Sequence, residues 1–391
     1  MFGKKLSMKK ISLVAALTLF CAINAADVGA SQRQEVVPAD DSRITYVGRT
    51  LVQDGTVSFD WTAVYARISF TGNSLSFKAS DTGKNYFNIW IDREPSAEPD
   101  KVIAVAGETQ EISIVSNDDL SALYPKDKKA RNGSHKVTIQ RRTEGEQGRT
   151  TIHSYTVDGE LTQAEGLKPR MIEFVGDSYT CGYGSENSIS SDPFKPETEN
   201  CSKTYASILA RYFDADIICL AHSGEGIARN YDDGRKDYYM PDRYLTIFDE
   251  ARQDPVKWDA SKSAFSPAVT VIYLGTNDFS TSRQPSRTMF KRNYTRLLKA
   301  IKDNYGEGHP IVCTSSNADP ILFEYIRETV EDCGMKNVTY TGFFKGVHFN
   351  NDTDLGASSH PNYNGHKKIA HALLPYIATA TAWEMEDKLL K

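Results

Sequence analysis

Residues 171–184 read MIEFVGDSYTCGYG, and this stretch decides the fold. Met171–Val175 is a compact apolar run of strand length, and Gly176-Asp177-Ser178 turns at its end. Thr204–Phe213 follows, with Tyr205, Ile208, Leu209 and Tyr212 at helical spacing behind Ser202 as a cap. Ile217–Leu220, Val269–Leu274, Ile311–Thr314 and Val338–Thr341 repeat the strand pattern. Phe290–Ile301, Ile321–Asp332 and His366–Ala378 carry the helical one. Strand and helix alternate, so residues 169–391 are expected to form an α/β domain with a mainly parallel sheet.

Upstream the pattern changes. Thr56–Trp61, Tyr65–Phe70, Leu75–Ala79, Tyr86–Asp92, Val102–Val105, Glu111–Val115, Lys136–Arg141 and Ser154–Val157 are short runs rich in β-branched and aromatic residues. Gly72-Asn73, Asp81 to Gly83 and Asn132-Gly133 read as turns between them. Residues 46–162 are therefore expected to be an all-β sandwich, jelly-roll-like. Asp118 to Asn132 is charged and reads as a loop or short helix. Residues 26–45 are polar and mixed, and read as a linker.

Residues 1–25 read as a secretory signal peptide. Lys4, Lys5, Lys9 and Lys10 precede an apolar run from Ile11 to Ile23, and the small residues Ala25 and Ala26 follow. The run is too short for a comfortable membrane span. Cys21 is disfavoured as a lipid anchor because Phe20, not a small residue, precedes it. A secreted location, periplasmic or extracellular, is the expectation. The net charge is −5 and no basic block stands out, so nucleic acid is not an expected partner. Cys181, Cys201, Cys219, Cys313 and Cys333 remain after the leader, an odd number that leaves at least one thiol free. A Cys181–Cys201 bridge stays open, and no Cys/His spacing resembles a zinc site.

In an open α/β sheet, ligands bind beyond the carboxyl ends of the strands. Gly176-Asp177-Ser178, His222-Ser223-Gly224-Glu225-Gly226 and Gly275-Thr276-Asn277-Asp278 each follow a strand, and His360-Pro361-Asn362 precedes the last helix. Alone, each has a bland reading as a turn or a helix entry. Together they supply what acyl transfer needs. Ser178 offers a hydroxyl at a tight turn, and His360 offers a base that titrates near operating pH. The N–H groups of Ser178 and Gly224, with the Asn277 amide, could donate to an oxyanion.

The ordered set resembles the four signatures of the GDSL/SGNH hydrolases. IEFVGDSYTCGYG (172–184), HSGEGIARNY (222–231), YLGTNDFS (273–280) and HPNYNGHKKIA (360–370) resemble carbohydrate esterase family 2. So do GRTLVQDGTVSFDWTAVYARISFTGNSL (48–75), GSHKVTIQRRTE (133–144) and YTVDGE (155–160) in the β-rich half. The resemblance implies a jelly-roll domain joined to an SGNH domain that removes acetyl groups from plant polysaccharides. By position it implies Ser178 as nucleophile, Gly224 and Asn277 as oxyanion donors, and His360 as base. It implies an acetylated polysaccharide as partner and no metal or organic cofactor.

One departure stands out. SGNH enzymes usually place an aspartate three residues before the histidine, and here that residue is Ala357. A Ser–His dyad, with a backbone carbonyl orienting the imidazole, is the arrangement inferred from the resemblance. Asp352 and Asp354 are near enough in sequence to substitute. Tyr183, His222, Tyr231 and Phe279 flank the motifs as candidate sugar contacts, and packing explains each equally well. A lipase or thioesterase on the same core, or a non-catalytic glycan-binding protein, are the alternative readings.

Overall fold

The computed structural model describes residues 34–233, 236–253, 255–316, 319–341 and 347–390. The expected leader, Cys21 and the first part of the linker lie outside them.

The first domain is built from β1 (Gln34–Pro38), β2 (Thr45–Val47), β3 (Leu51–Gln53), β4 (Thr56–Phe59), β5 (Tyr65–Ile91), β6 (Lys101–Val115), β7 (Ser134–Arg141) and β8 (Thr150–Thr162). Two short helices, α1 (Asn117–Leu123) and α2 (Lys128–Arg131), lie between β6 and β7. Every pairing is antiparallel. The three runs expected from Tyr65 to Asp92 are one strand, because Gly72-Asn73 and Asp81 to Gly83 bend the chain without breaking it. Asp81 holds the second bend by accepting from Gly83 N–H and the Asn85 amide, both at 2.9 Å.

These bends fold the sheet onto itself. Residues 65–71 and 87–91 of β5 flank β7 on its two sides, while residues 75–81 lie between β6 and β8. The layers meet through buried aromatic rings, with Phe77 6.3 Å and Phe59 6.2 Å from Phe87.

Part of the expected linker belongs to this sheet. Gln34–Pro38 pairs with β8, and Thr45 opens β2. Val37 is 5% and Val36 64% exposed, so an apolar residue stands on the open face as well as the covered one and no apolar alternation marks β1 in the sequence.

The second domain carries β9 (Met171–Gly176), β10 (Asp216–Ala221), β11 (Val269–Tyr273), β12 (Ile311–Thr314) and β13 (Val338–Tyr340), all parallel, in the order β10-β9-β11-β12-β13. The helices are α3 (Ser178–Cys181), α4 (Tyr205–Tyr212), α5 (Met240–Arg243), α6 (Arg287–Tyr305), α7 (Pro320–Asp332) and α8 (Tyr363–Thr381). β9, β10 and β11 are buried at every residue, which is why they are mostly apolar; the buried exceptions Glu173, Asp216 and Thr270 are hydrogen-bonded. The α4 cap is Thr204 rather than Ser202: Thr204 accepts from Ser207 N–H, while the Ser202 hydroxyl bonds Asn200. Among the described residues, no helix is long and apolar enough to cross a membrane.

Register places the site. Gly176 stands opposite Ala221 on one side and Tyr273 on the other. Three strands therefore end level, and the three motif segments leave from one edge of the sheet. The β domain is tied to this one by buried polar contacts: Arg49 donates to the carbonyls of Tyr244 and Thr246, and Tyr65 OH donates to Asp216 at 2.7 Å.

Candidate active site

Ser178 is the first residue of α3, directly after β9. Gly176 makes the turn possible, since a Cβ there would lie 2.0 Å from the Thr180 hydroxyl. Asp177 caps α3 by accepting the Tyr179 N–H at 3.1 Å, and burial pushes its carboxyl up to about 7. The Ser178 Oγ lies 2.9 Å from His360 Nε2, a hydrogen bond between residues 182 positions apart.

His360 is positioned by the α8 cap and by a strained loop. Asn362 caps α8 through the N–H groups of Asn364 and Gly365. Gly356 N–H donates to the His360 carbonyl at 2.7 Å. Ser358 and Ser359 have φ of 52° and 59°, left-handed values that cost on the order of 1–3 kcal/mol each for residues other than glycine. Their N–H groups donate to the carbonyls of Asp192 and Ser190 at 2.9 Å, which holds the strained pair in place. The result aims the Ser358 carbonyl at His360 Nδ1, 3.1 Å away. Tyr183 lies against the imidazole with centroids 4.4 Å apart, and Phe194 stacks on its other side at 3.8 Å. Burial lowers the His360 pKa, with the Ser358 carbonyl acting in the opposite sense.

Of the two carboxylates near His360 in sequence, Asp352 is exposed and Asp354 is engaged elsewhere. Asp354 accepts from Asn350 N–H at 2.6 Å and pairs with Lys368 at 2.5 Å, facing α8. Ala357 is buried against Gly184, where a Cβ would lie 2.5 Å from the alanine methyl.

The proposed donors converge from three loops. Among the described residues, the N–H groups of Ser178 and Gly224 carry no hydrogen bond within the chain. Gly224 has φ of 78°, the left-handed region that favours glycine. The Asn277 amide donates to the Glu225 carbonyl at 2.8 Å and reaches Asp177 at 3.4 Å. The strong bond fixes the amide, and the long one leaves a hydrogen that a better acceptor can take. Asp278 accepts from the N–H groups of Ile227, Ala228 and Arg229 at 2.7–2.9 Å, which staples the second motif to the third.

One expected sugar contact is corrected. His222 is fully buried at the domain boundary, with Nδ1 2.8 Å from Asp249, and a substrate has no access to it. Burial opposes its charge, but Asp249 and Glu144 outweigh that and push it up to about 9. Phe279 is half-buried and packs on the core against Phe290 and Tyr325, at 6.3 and 5.6 Å. Tyr183 braces His360, as described. Tyr231 is 58% exposed and its N–H donates to the Gly224 carbonyl at 2.8 Å, so it stands beside the second motif.

The sequence reading missed the buried charges behind the site. Arg243 bonds Asp249 at 2.9 Å and Glu225 at 3.1 Å, and Asp60 of the β domain accepts Asp249 N–H at 2.6 Å. Glu144, Cys181 and Glu199, and separately His222, Asp249 and Glu250, bring ligand-type atoms within 4.8 Å of one another. In the second group Arg243 already supplies the positive charge. Among the described residues the five cysteines are free thiols, so Cys181 and Cys201 are not bridged. Burial raises both pKa values, consistent with packing rather than reactivity.

Two family models match in tandem. Carbohydrate esterase 2 N-terminal covers residues 46–164, and the GDSL-like Lipase/Acylhydrolase family covers residues 174–368. The chain belongs to carbohydrate esterase family 2. Within this family it is 29% identical over 354 residues to Cellulase/esterase CelE of Acetivibrio thermocellus, covering 88% of this chain and 40% of that protein. It therefore spans two fifths of that relative's length. It is 25% identical to an acetylxylan esterase / glucomannan deacetylase of Cellvibrio japonicus, covering 89% of this chain and 91% of that one. A family two carbohydrate esterase from Clostridium thermocellum, solved in complex with cellohexaose, superposes with a TM-score of 0.76 at 29% identity. That match covers 87% of this chain and all of the other.

Proposed function

We propose that this protein is an O-acetyl esterase acting on acetylated plant-cell-wall polysaccharides, xylan and glucomannan among them. The observation that carries the reading is the 2.9 Å contact between Ser178 Oγ and His360 Nε2 at the level ends of three parallel strands. Relatives named acetylxylan esterase / glucomannan deacetylase support the substrate class.

Ser178 attacks the acetyl carbonyl while His360 takes its proton. The negative charge that develops on the carbonyl oxygen is met by the Ser178 and Gly224 N–H groups and the Asn277 amide. The sugar hydroxyl leaves with the proton from His360, and water clears the acetyl-serine with the same base. We assign a dyad, with the Ser358 carbonyl in the place of a carboxylate. We read the β domain as jelly-roll-like and the protein as exported by its leader.

The test is release of acetate from acetylated xylan, acetylated glucomannan and an aryl acetate by purified protein. Ser178→Ala should lower kcat by several orders of magnitude, since a triad serine is worth about 10⁶ in a protease. Hydrolysis of long-chain esters without acetate release would favour the lipase reading. Sugar binding with no turnover would favour the binding-protein reading.

A further inference from the structure

Glu144 ends the β-domain segment GSHKVTIQRRTE and reaches across to the second domain. Its side chain is fully buried. One oxygen, Oε2, accepts the Ser223 N–H at 2.6 Å and the Cys181 thiol at 3.4 Å. Ser223 precedes Gly224, and Cys181 ends the turn that Ser178 begins. A single β-domain oxygen thus holds both the nucleophile turn and the loop that presents Gly224. We propose that Glu144 is a positioning residue for the oxyanion hole, so that the β domain completes the active site. This rests on the esterase reading above.

How the carboxylate is kept in place supports the assignment. Glu144 N–H donates to Glu199 Oε2 at 3.3 Å, and the two side chains lie together with Cys181. The second oxygen of each, Oε1, is buried with no protein partner. Burial and the neighbouring Glu144 raise the Glu199 pKa well above the ordinary carboxyl value. Glu144 Oε2 is the fixed acceptor of the Ser223 N–H, 2.6 Å away. A buried N–H with a fixed acceptor cannot rotate away without leaving both groups unpaired in the interior. The Ser223–Gly224 peptide is therefore held in one orientation before substrate arrives.

The experiment uses the full chain and an aryl acetate. Glu144→Ala should lower kcat ten- to hundredfold with KM within twofold of wild type, because only charge developing in the transition state feels a displaced donor. The loss stays below the roughly 10²–10³ of deleting a donor outright. Glu144→Gln should recover at least half of that loss on a logarithmic scale. Its carbonyl oxygen still accepts the Ser223 N–H and its amide donates to Glu199. Combined with Asn277→Ala, Glu144→Ala should cost less than the product of the two single losses, since both act on one oxyanion.

An unchanged kcat in folded Glu144→Ala overturns the proposal. So does a rise in KM alone, or Glu144→Gln no better than Glu144→Ala. Should Glu144→Ala fail to fold, Glu144→Asp carries the test. It withdraws the carboxylate by one carbon–carbon bond and should lose at least tenfold in kcat, and an unchanged kcat overturns the proposal. An inactive wild type would overturn the esterase reading itself. An active wild type insensitive to Glu144 overturns only this inference.

Discussion

His360 Nδ1 lies 3.1 Å from the carbonyl of Ser358, two residues back in its own loop. That oxygen can orient the imidazole and fix its tautomer, but it brings no full charge to the imidazolium. A triad aspartate is worth about 10⁴ in rate. Asp352→Asn and Asp354→Asn should therefore each cost less than about tenfold in kcat, while His360→Ala should cripple turnover. A thousandfold loss in either asparagine variant would restore a triad.

The motif segments were legible because strand ends and glycine turns leave sequence marks. Ser178, Gly224, Asn277 and His360 could be named before their distances were known. The strain at Ser358 and Ser359 could not, because neither is a glycine and nothing in SSH announces a positive φ. Glu144 and Asp249 were invisible for another reason. Their partners lie 79 and 27 residues away, and a buried charge network follows from domain packing, not from local pattern. β1 was hidden because the exposed Val36 beside the buried Val37 breaks the alternation, and His222 was misplaced because a motif neighbour need not point its side chain outward.

The acid limb of activity should reflect His360. Its neutral form is the base, and burial lowers its pKa below the ordinary 6.5. The enzyme should then keep its base at lower pH than a solvent-exposed histidine would, with the acid midpoint of kcat/KM below 6.5. A midpoint above 6.5 would mean that another group, such as the buried Asp177, limits the rate.

His222 should govern alkaline stability. Its folded pKa is raised to about 9, against 6.5 for the unfolded chain. The stabilisation is fully present below pH 6.5 and is lost as pH rises through 9. Thermal midpoints should fall between pH 7 and 10, and His222→Gln should flatten that slope while lowering stability at pH 7. A wild-type midpoint constant over this range would show that the imidazole is neutral in the fold.

Asn277→Ala should lower kcat by roughly 10²–10³ with little change in KM, as expected for one oxyanion donor. The 2.8 Å bond to the Glu225 carbonyl anchors the amide, so the variant also frees that carbonyl. A rise in KM without a fall in kcat would make Asn277 a ground-state contact instead.

Tyr231 and Phe279 should separate by assay. Tyr231 is exposed beside Gly224, and an aromatic face there suits a sugar ring of a long substrate. Tyr231→Ala should raise KM on acetylated polysaccharide severalfold while leaving hydrolysis of a small aryl acetate within twofold. Phe279 is wedged between Phe290 and Tyr325, so Phe279→Ala should act on stability. Removing a buried phenylalanine costs about 3–5 kcal/mol, and the half-buried ring places this one toward the lower end. Denaturant unfolding of the two variants beside polymer and aryl acetate kinetics decides the matter. A selective loss on polymer in a fully stable Phe279→Ala would return Phe279 to the binding surface, and equal losses on both substrates in Tyr231→Ala would remove Tyr231 from it.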